Sequence, residues 1–213
     1  AYVTYTADGH IEGWVITMPE YVKKYQPGAT VPLYFSAVLD RKPESYGSFH
    51  GNTQLTDAKE SKGTGAGMYF TFSNEQQEAV TAKIGLSYTS VENARINLQA
   101  EAEGKTFEDA KEQAHQIWQE YLGRIEVETS KREDKVKFYT GLYHALLGRG
   151  LANDVNGAYP RNDGSVGQLP MKEGKPQYNV YNTDAAWGAQ WNLSQLWTLA
   201  YPEYMSEYVS SHI

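Results

Sequence analysis

Two hundred and thirteen residues carry Lys+Arg 19 against Asp+Glu 26, and the net charge of -7 leaves no cationic surface to offset a phosphate backbone, which argues against nucleic acid as a partner. Zero cysteines exclude a disulfide scaffold and thiolate metal or redox sites, and no run of about 18 apolar residues offers a membrane span. Aromatic residues reach 13%, with Tyr 17, Phe 6 and Trp 5, and rings with a polar tip serve both cores and sugar-binding clefts.

From Ala1 to about Thr89 short alternating segments predict strands over Tyr2–Thr6, Ile11–Met18, Val31–Leu39, Gly67–Phe72 and Ala79–Tyr88. Asp8-Gly9, Pro27-Gly28, Gly51-Asn52 and the stretch Ser61 to Gly67 supply turns between them. Antiparallel strands at this spacing predict a β-sandwich, with earlier strands missing from this sequence as one reading. After Gly104 the period shifts toward 3.6. A helix from Thr106, capped by Asp109, carries the stripe Ala110, Ala114, Ile117, Trp118, Tyr121 and Leu122. A second runs from about Lys131 and ends near Gly148 to Gly150, with Val136, Tyr139, Leu142, Tyr143, Leu146 and Leu147 on its buried side. A loop from Leu151 to Tyr181, rich in Asn, Asp, Gly and Pro, separates these from a third helix over Asn182–Tyr201. The last stretch, Glu203 to Ile213, reads as a fourth helix that stops partway. No helix is expected before Thr89.

Several motifs carry little chemistry. Gly63, Gly65 and Gly67 precede a strand instead of opening a helix, so they read as a hairpin turn and not a phosphate loop. Asp154-Val155-Asn156-Gly157 lacks the glycine position and closing Glu of a calcium loop and reads as a turn. The histidines His10, His50, His115, His144 and His212 have no ligand spacing on one helix, and His144, one step from an apolar stripe, reads as a hydrogen-bonded interior residue. Asn192-Leu193-Ser194 matches a glycosylation pattern but falls within the expected apolar helix.

One constellation is more informative. Asp184, Trp187 and Trp191 stand at i, i+3 and i+7 of the third helix and would share a face, with Asp184 at the positive end of the helix dipole. Two readings stand side by side. Either Asp184 caps a helix that buries its tryptophans, or the carboxylate accepts hydrogen bonds from sugar hydroxyls while an indole stacks on the pyranose.

Three stretches resemble glycoside hydrolase family 92, the calcium-dependent exo-α-mannosidases. Residues 82–102, with Ile84-Gly85-Leu86-Ser87-Tyr88-Thr89-Ser90-Val91-Glu92-Asn93-Ala94 at their centre, resemble the segment that closes that family's sandwich and leads into its connecting helices. Lys137 to Leu147, followed by Asn153 to Gly157 and Asn162-Asp163-Gly164, is similar to its first barrel helix and the loop after it. Tyr178-Asn179-Val180-Tyr181-Asn182-Thr183-Asp184 resembles the approach to a Trp-Asp-Thr motif, with Thr183 and Ala185 as the flanking residues here and the indole moved to Trp187.

The resemblance implies an N-terminal antiparallel β-sandwich over 1–104, a helical connector over 105–135 and the first helices of an incomplete (α/α)6 barrel over 136–213. It implies an inverting, exo-acting enzyme on terminal α-mannosides of glycans, with carboxyls spaced roughly 6.5–9.5 Å apart to admit water. It assigns Asp184, with Trp187 beside it, to substrate binding. The acid, the base and most Ca2+ ligands are expected beyond Ile213, so no catalytic residue is assigned in this chain, which alone is expected to be inactive. The expected partners are a mannose-containing glycan and the rest of the protein's own barrel, and the expected place is secreted, periplasmic or on the bacterial surface, although no leader opens at Ala1. Two alternatives remain at this point: a non-catalytic carbohydrate-binding module, or another carbohydrate-active enzyme with the same sandwich and barrel layout.

Overall fold

The computed structural model describes residues 1–18, 20–25, 27–28, 30–73, 78–147, 150–182 and 186–212. The chain divides into two units, residues 1–104 with 154–168, and residues 105–153 with 169–213.

The first unit contains β1 (Tyr2–Tyr5), β2 (Ile11–Thr17), a short α1 (Glu20–Tyr25), β3 (Val31–Leu39), β4 (Ser45–His50), β5 (Thr53–Thr56), β6 (Glu60–Lys62), β7 (Ala66–Thr71), β8 (Ala82–Ser87) and α2 (Val91–Ala102). Five strands form one sheet in the order β6-β1-β2-β3-β8, and three form another in the order β5-β4-β7. All pairings in both sheets are antiparallel. Register sets the faces, because directly opposed residues share one side of a pleated sheet. Tyr5, Ile11, Ala37 and Ile84 form one row across the larger sheet. From that row the Tyr5 ring meets Tyr46 and Phe70 of the smaller sheet edge-on at 5.0 and 5.3 Å, closing a sandwich.

The opposite row, Glu12, Ser36 and Gly85, faces α2. A Cβ on Gly85 would stand 2.2 Å from the Ala94 carbonyl oxygen and 2.7 Å from Leu98 Cβ, so glycine is what lets the helix backbone approach β8. Ser90 caps α2 by accepting from the Asn93 amide at 3.0 Å. Arg95 of α2 then donates Nε to Glu12 and Nη1 to Asp8, each at 2.7 Å.

The five expected strands are all present with ends moved by up to three residues, whereas β4, β5 and β6 lie where the sequence suggested turns or nothing. All four residues of β5 are exposed, so it carries no alternation to read. Gly63 to Gly65 is a turn but not a hairpin, and Gly67 already lies in β7: β6 pairs with β1 and β7 with β4, so the turn passes the chain between sheets, with Gly63 and Gly65 at φ of 117° and 78°. Two helices correct the expectation of none before Thr89 and of a change of period at Gly104. The short α1 sets Glu20 in its first turn and Lys23 and Lys24 in its last, which suits the helix dipole. Helix α2 begins at Val91 and has a muted apolar stripe, because polar Asn97 is buried on it beside Ala94 and Leu98.

After α2 come α3 (Phe107–Leu122), α4 (Arg132–Leu146), the ribbon β9 (Ala158–Pro160) with β10 (Val166–Gln168), the ribbon β11 (Met171–Lys172) with β12 (Lys175–Pro176), a 3-10 turn (Ala186–Gln190), α5 (Leu193–Ala200) and α6 (Pro202–Ser210). The long loop of the sequence reading therefore holds two short ribbons. The Thr106–Asp109 capping box forms as the sequence suggests. Its helix, however, buries no residue, and Ile117 is 49% exposed. On α4 only Leu142 is fully buried, and His144 is exposed, which overturns its interior reading: the stripe turns inward at Leu142 and leaves the adjacent position outside. The core of the second unit gathers Leu142, Ala189, Trp197, Tyr201 and Tyr208.

The expected third helix over Asn182–Tyr201 is two elements. Gly188 weakens helix propensity and Asn192 takes an extended φ of -160° at the N-cap of α5, so a 3-10 turn and a break precede the α-helix. Trp187 and Trp191 consequently do not share an α-helical face, and Asn192 lies exposed at the break instead of within the helix. The fourth helix ends at Ser210, where the Ser211 amide closes the last turn on Glu207, instead of running to Ile213.

Candidate functional site

Trp187 within the 3-10 turn and Trp191 just after it point outward, each 74% exposed. Between them Ala189, 3% exposed, turns into the core against the elements that carry Leu142, Trp197 and Tyr201. Below, Trp197 is fully buried and donates Nε1–H to the Ala145 carbonyl at 3.3 Å, and its ring meets Tyr204 and Tyr208 edge-on at 4.9 and 5.2 Å. Tryptophans of one short stretch thus divide into a buried anchor and exposed rings, which spacing alone did not separate. Asp184, the carboxylate singled out from the sequence, lies outside the described residues, as do Thr183 and Ala185.

The chain leading to that segment is held from two sides. The Ala152 amide donates to the Val180 carbonyl at 2.8 Å and the Asn182 amide to the Gly150 carbonyl at 3.0 Å, around a bridge between Leu151 and Tyr181. The Val180 amide also donates to Asn153 Oδ1 at 2.7 Å. From α6, Glu207 accepts the Tyr181 hydroxyl at 2.8 Å and Asn179 Nδ2 at 3.1 and 3.3 Å. One turn on, Ser211 Oγ accepts the Tyr181 amide at 2.9 Å. Burial, reinforced by the hydrogen bond to Glu207, pushes the Tyr181 phenol well above its ordinary value, so it remains a donor at any working pH.

The frame behind these residues is aromatic and cationic. Tyr121 and Tyr201 stack at 5.8 Å, the Tyr201 hydroxyl donates to the Tyr121 carbonyl at 3.0 Å, and the Arg124 guanidinium lies 4.7 and 5.2 Å from the two rings. Arg124 also pairs with Glu203 and Glu120; its hydrogen bond to Glu203 holds the guanidinium above its ordinary range, and Glu203 sits below the usual carboxylate range.

In the first unit the turn at Asp154 forms as expected, closed by the Gly157 amide on the Asp154 carbonyl at 2.8 Å. Its side chain does more than the motif suggested. The Asp154 carboxylate, 2% exposed, accepts Ser87 Oγ at 3.0 Å, the Thr89 hydroxyl and Asn97 Nδ2 at 2.7 Å. All three donors come from the Ile84–Leu98 neighbourhood, so this acid ties a distant turn to β8 and α2. Among the described residues no three His, Cys, Asp or Glu side chains gather in a way that could hold a metal ion. No described helix is long and apolar enough to cross a membrane.

Antiparallel sheets followed by helices fit a β-sandwich that leads into the start of an α/α barrel. The family profiles make this specific: the Glycosyl hydrolase family 92 N-terminal domain matches residues 1–87, and the Glycosyl hydrolase family 92 catalytic domain matches residues 93–213. The chain belongs to glycosyl hydrolase family 92. Among solved structures it is similar to the family GH92 α-mannosidase BT3965 from Bacteroides thetaiotaomicron, with a TM-score of 0.83 and 22% identity over 99% of this chain and 27% of that one. A second structure of BT3965 holds mannoimidazole. The inverting family GH92 mannosidase BT2199 from Bacteroides thetaiotaomicron VPI-5482 gives 0.80 and 23% identity, again over 99% and 27%. At such identities the likeness shows the fold, and the chain spans about a quarter of the length of these structures. No curated protein matches the chain.

The clamp of Tyr181 and Asn179 by Glu207 was not foreseen. Tyr178 to Asn182 drew notice through resemblance, but Glu207 lies 26 to 28 residues further on and has no local signal.

Proposed function

We propose that the full-length protein is an inverting, exo-acting α-mannosidase that releases terminal mannose from glycans, and that residues 1–213 contribute substrate binding but neither the acid nor the base. Membership in the family across 1–87 and 93–213 is the observation that carries this reading. The mannoimidazole complex of BT3965 supports mannose as the sugar, and BT2199, described as inverting, supports the stereochemistry.

In this reading residues 1–104 form the sandwich domain, 105–135 the connector and 136–213 the opening helices of an (α/α)6 barrel. Asp184 accepts hydrogen bonds from two sugar hydroxyls, and a charged acceptor makes such bonds roughly twice as strong as neutral ones. Trp187 offers an exposed indole for the apolar face of the pyranose. The family resemblance implies Ca2+ as a Lewis-acid partner for sugar hydroxyls, and in this reading its ligands come mostly from segments outside 1–213. In this reading the protein acts outside the cytoplasm, secreted, periplasmic or at the bacterial cell surface. The testing experiment is turnover of an aryl α-mannoside by the full-length protein, with calcium and after chelation, beside residues 1–213 alone. Hydrolysis by the full-length protein, lost on chelation and absent from residues 1–213, is expected; turnover by residues 1–213 at the full-length rate contradicts the division of labour.

A further inference from the structure

We propose that the outer face of the three-stranded sheet β5-β4-β7 is a binding platform for glycan chains, on which Phe49 and Tyr69 meet the apolar faces of sugar rings while Gln54, Thr56 and Thr71 meet their hydroxyls. That the sugar is mannose rests on the α-mannosidase reading; the platform itself rests on the sheet.

Register divides the two faces of this sheet. Tyr46 opposes Phe70, and both rings turn toward Tyr5 inside the sandwich. Side chains alternate along a strand, so the neighbouring pairs, Gly47 with Tyr69 and Ser45 with Thr71, lie on the outside together with Phe49 and Gly67. Strand β5 adds Gln54 beside Phe49 and Thr56 beside Gly47. On that face each ring lies across the neighbouring strand, over a glycine. A Cβ on Gly47 would stand 2.6 Å from Tyr69 Cζ, and one on Gly67 would stand 2.6 and 2.7 Å from Phe49 Cε2 and Cε1. Glycine inside a strand weakens it and marks a place where something approaches the backbone closely. Here the rings do so, and they run along the sheet surface instead of rising from it. Both are half-buried, so each keeps ring surface open to solvent. Around them stand the exposed amide of Gln54 and the exposed hydroxyls of Thr56 and Thr71, with Ser45 Oγ and Thr71 Oγ1 sharing a hydrogen bond at 2.5 Å. None of the described residues that face outward on these three strands is charged, although the chain as a whole carries a net charge of -7. Ring surface bordered by uncharged donors and acceptors complements a neutral polyhydroxyl ligand, whose C–H faces pack on the rings and whose hydroxyls pair at the rim. A charged peptide or an anionic polymer finds no counter-charge there.

The test is affinity electrophoresis of the full-length protein through native gels that hold increasing amounts of α-mannan, with the thermal midpoint of each variant taken beside it. Wild-type protein should be retarded, and Phe49→Ala and Tyr69→Ala should each bind about tenfold more weakly. Gly67→Ala keeps the phenyl ring but puts a methyl where it rests, so it should weaken retardation as Phe49→Ala does. Gln54 is exposed on edge strand β5, so Gln54→Ala keeps the fold and should weaken binding about threefold, which leaves the proposal open to refutation if a ring variant fails to fold. Wild-type retardation in Gln54→Ala and in every ring variant that folds overturns the proposal, because the rings then do no more than cover their glycines. Wild-type protein that passes the mannan gel unretarded overturns it as well. Turnover of an aryl α-mannoside by the same wild-type preparation separates the two readings. Retardation without turnover supports the platform and contradicts the α-mannosidase reading, whereas turnover without retardation supports the enzyme and overturns the platform.

Discussion

Asp154, held in a described turn, and Asp184, proposed to bind sugar, are acids for which opposite behaviour is expected. Asp154 is a buried side chain with three side-chain donors, so its removal leaves Ser87, Thr89 and Asn97 with lost partners in a closed site. Asp154→Ala should lower the stability of the sandwich unit by about 3 kcal/mol and Asp154→Asn by less, as measured by the urea midpoint of the full-length protein followed by the tryptophan or circular-dichroism signal. An unchanged midpoint would mean that the turn closes on its backbone bond alone. Asp184 is expected to behave in the reverse way. Asp184→Asn should leave the thermal midpoint nearly unmoved and lower kcat/KM about ten- to a hundredfold, because the amide keeps its shape and loses the charge-assisted bonds to sugar hydroxyls. A lowered midpoint with wild-type kinetics would leave Asp184 a structural residue. The turn at Asp154 was readable from Asn156-Gly157, but the burial of its carboxylate was not, since its donors sit 57 to 67 positions away.

At the scale of elements, the contact of α2 with β8 is a close backbone approach bought with Gly85. Gly85→Ala should cost about 2 kcal/mol through overpacking against Ala94 and Leu98, read as a fall in thermal midpoint; an unaffected midpoint would show that α2 shifts freely. The same helix reaches the β1–β2 turn through Arg95 and Asp8. Hydrogen bonds from Thr6 and then Arg95 hold the exposed Asp8 carboxyl at about 2, below the ordinary carboxylate value. A depressed folded-state value means the stabilisation is present above the unfolded value, about 3.9, and is lost as pH falls through about 2. The midpoint difference between wild type and Asp8→Asn should therefore shrink as pH is lowered from neutrality toward about 2, and a constant difference would contradict the pairing.

An element with a long apolar run was legible: the reading of Val31–Leu39 coincides end to end with β3. Strand β4, with two serines and a glycine in Ser45–His50, and the wholly exposed β5 were not, because their place in the sheet comes from partners and not from their own pattern. Periodicity also overextended the third helix, since a count of apolar positions does not weigh the local cost of Gly188 and Asn192.

For the whole molecule, composition and pattern were enough to recover a sandwich followed by helices, and three short resemblances were enough for the family. The partition of the loop was not recoverable in that way. Residues 154–168 fold with the first unit although helices on either side of them belong to the second, a pairing set by side chains far apart in sequence. The reaction proposed for the complete protein has a stereochemical signature, because water entering opposite the leaving group inverts the anomeric carbon. The direct measurement is proton NMR of the first sugar released from an α-mannoside by the full-length protein, before mutarotation. The account predicts β-mannose as the initial product; α-mannose first, or no release of mannose at all, would contradict it.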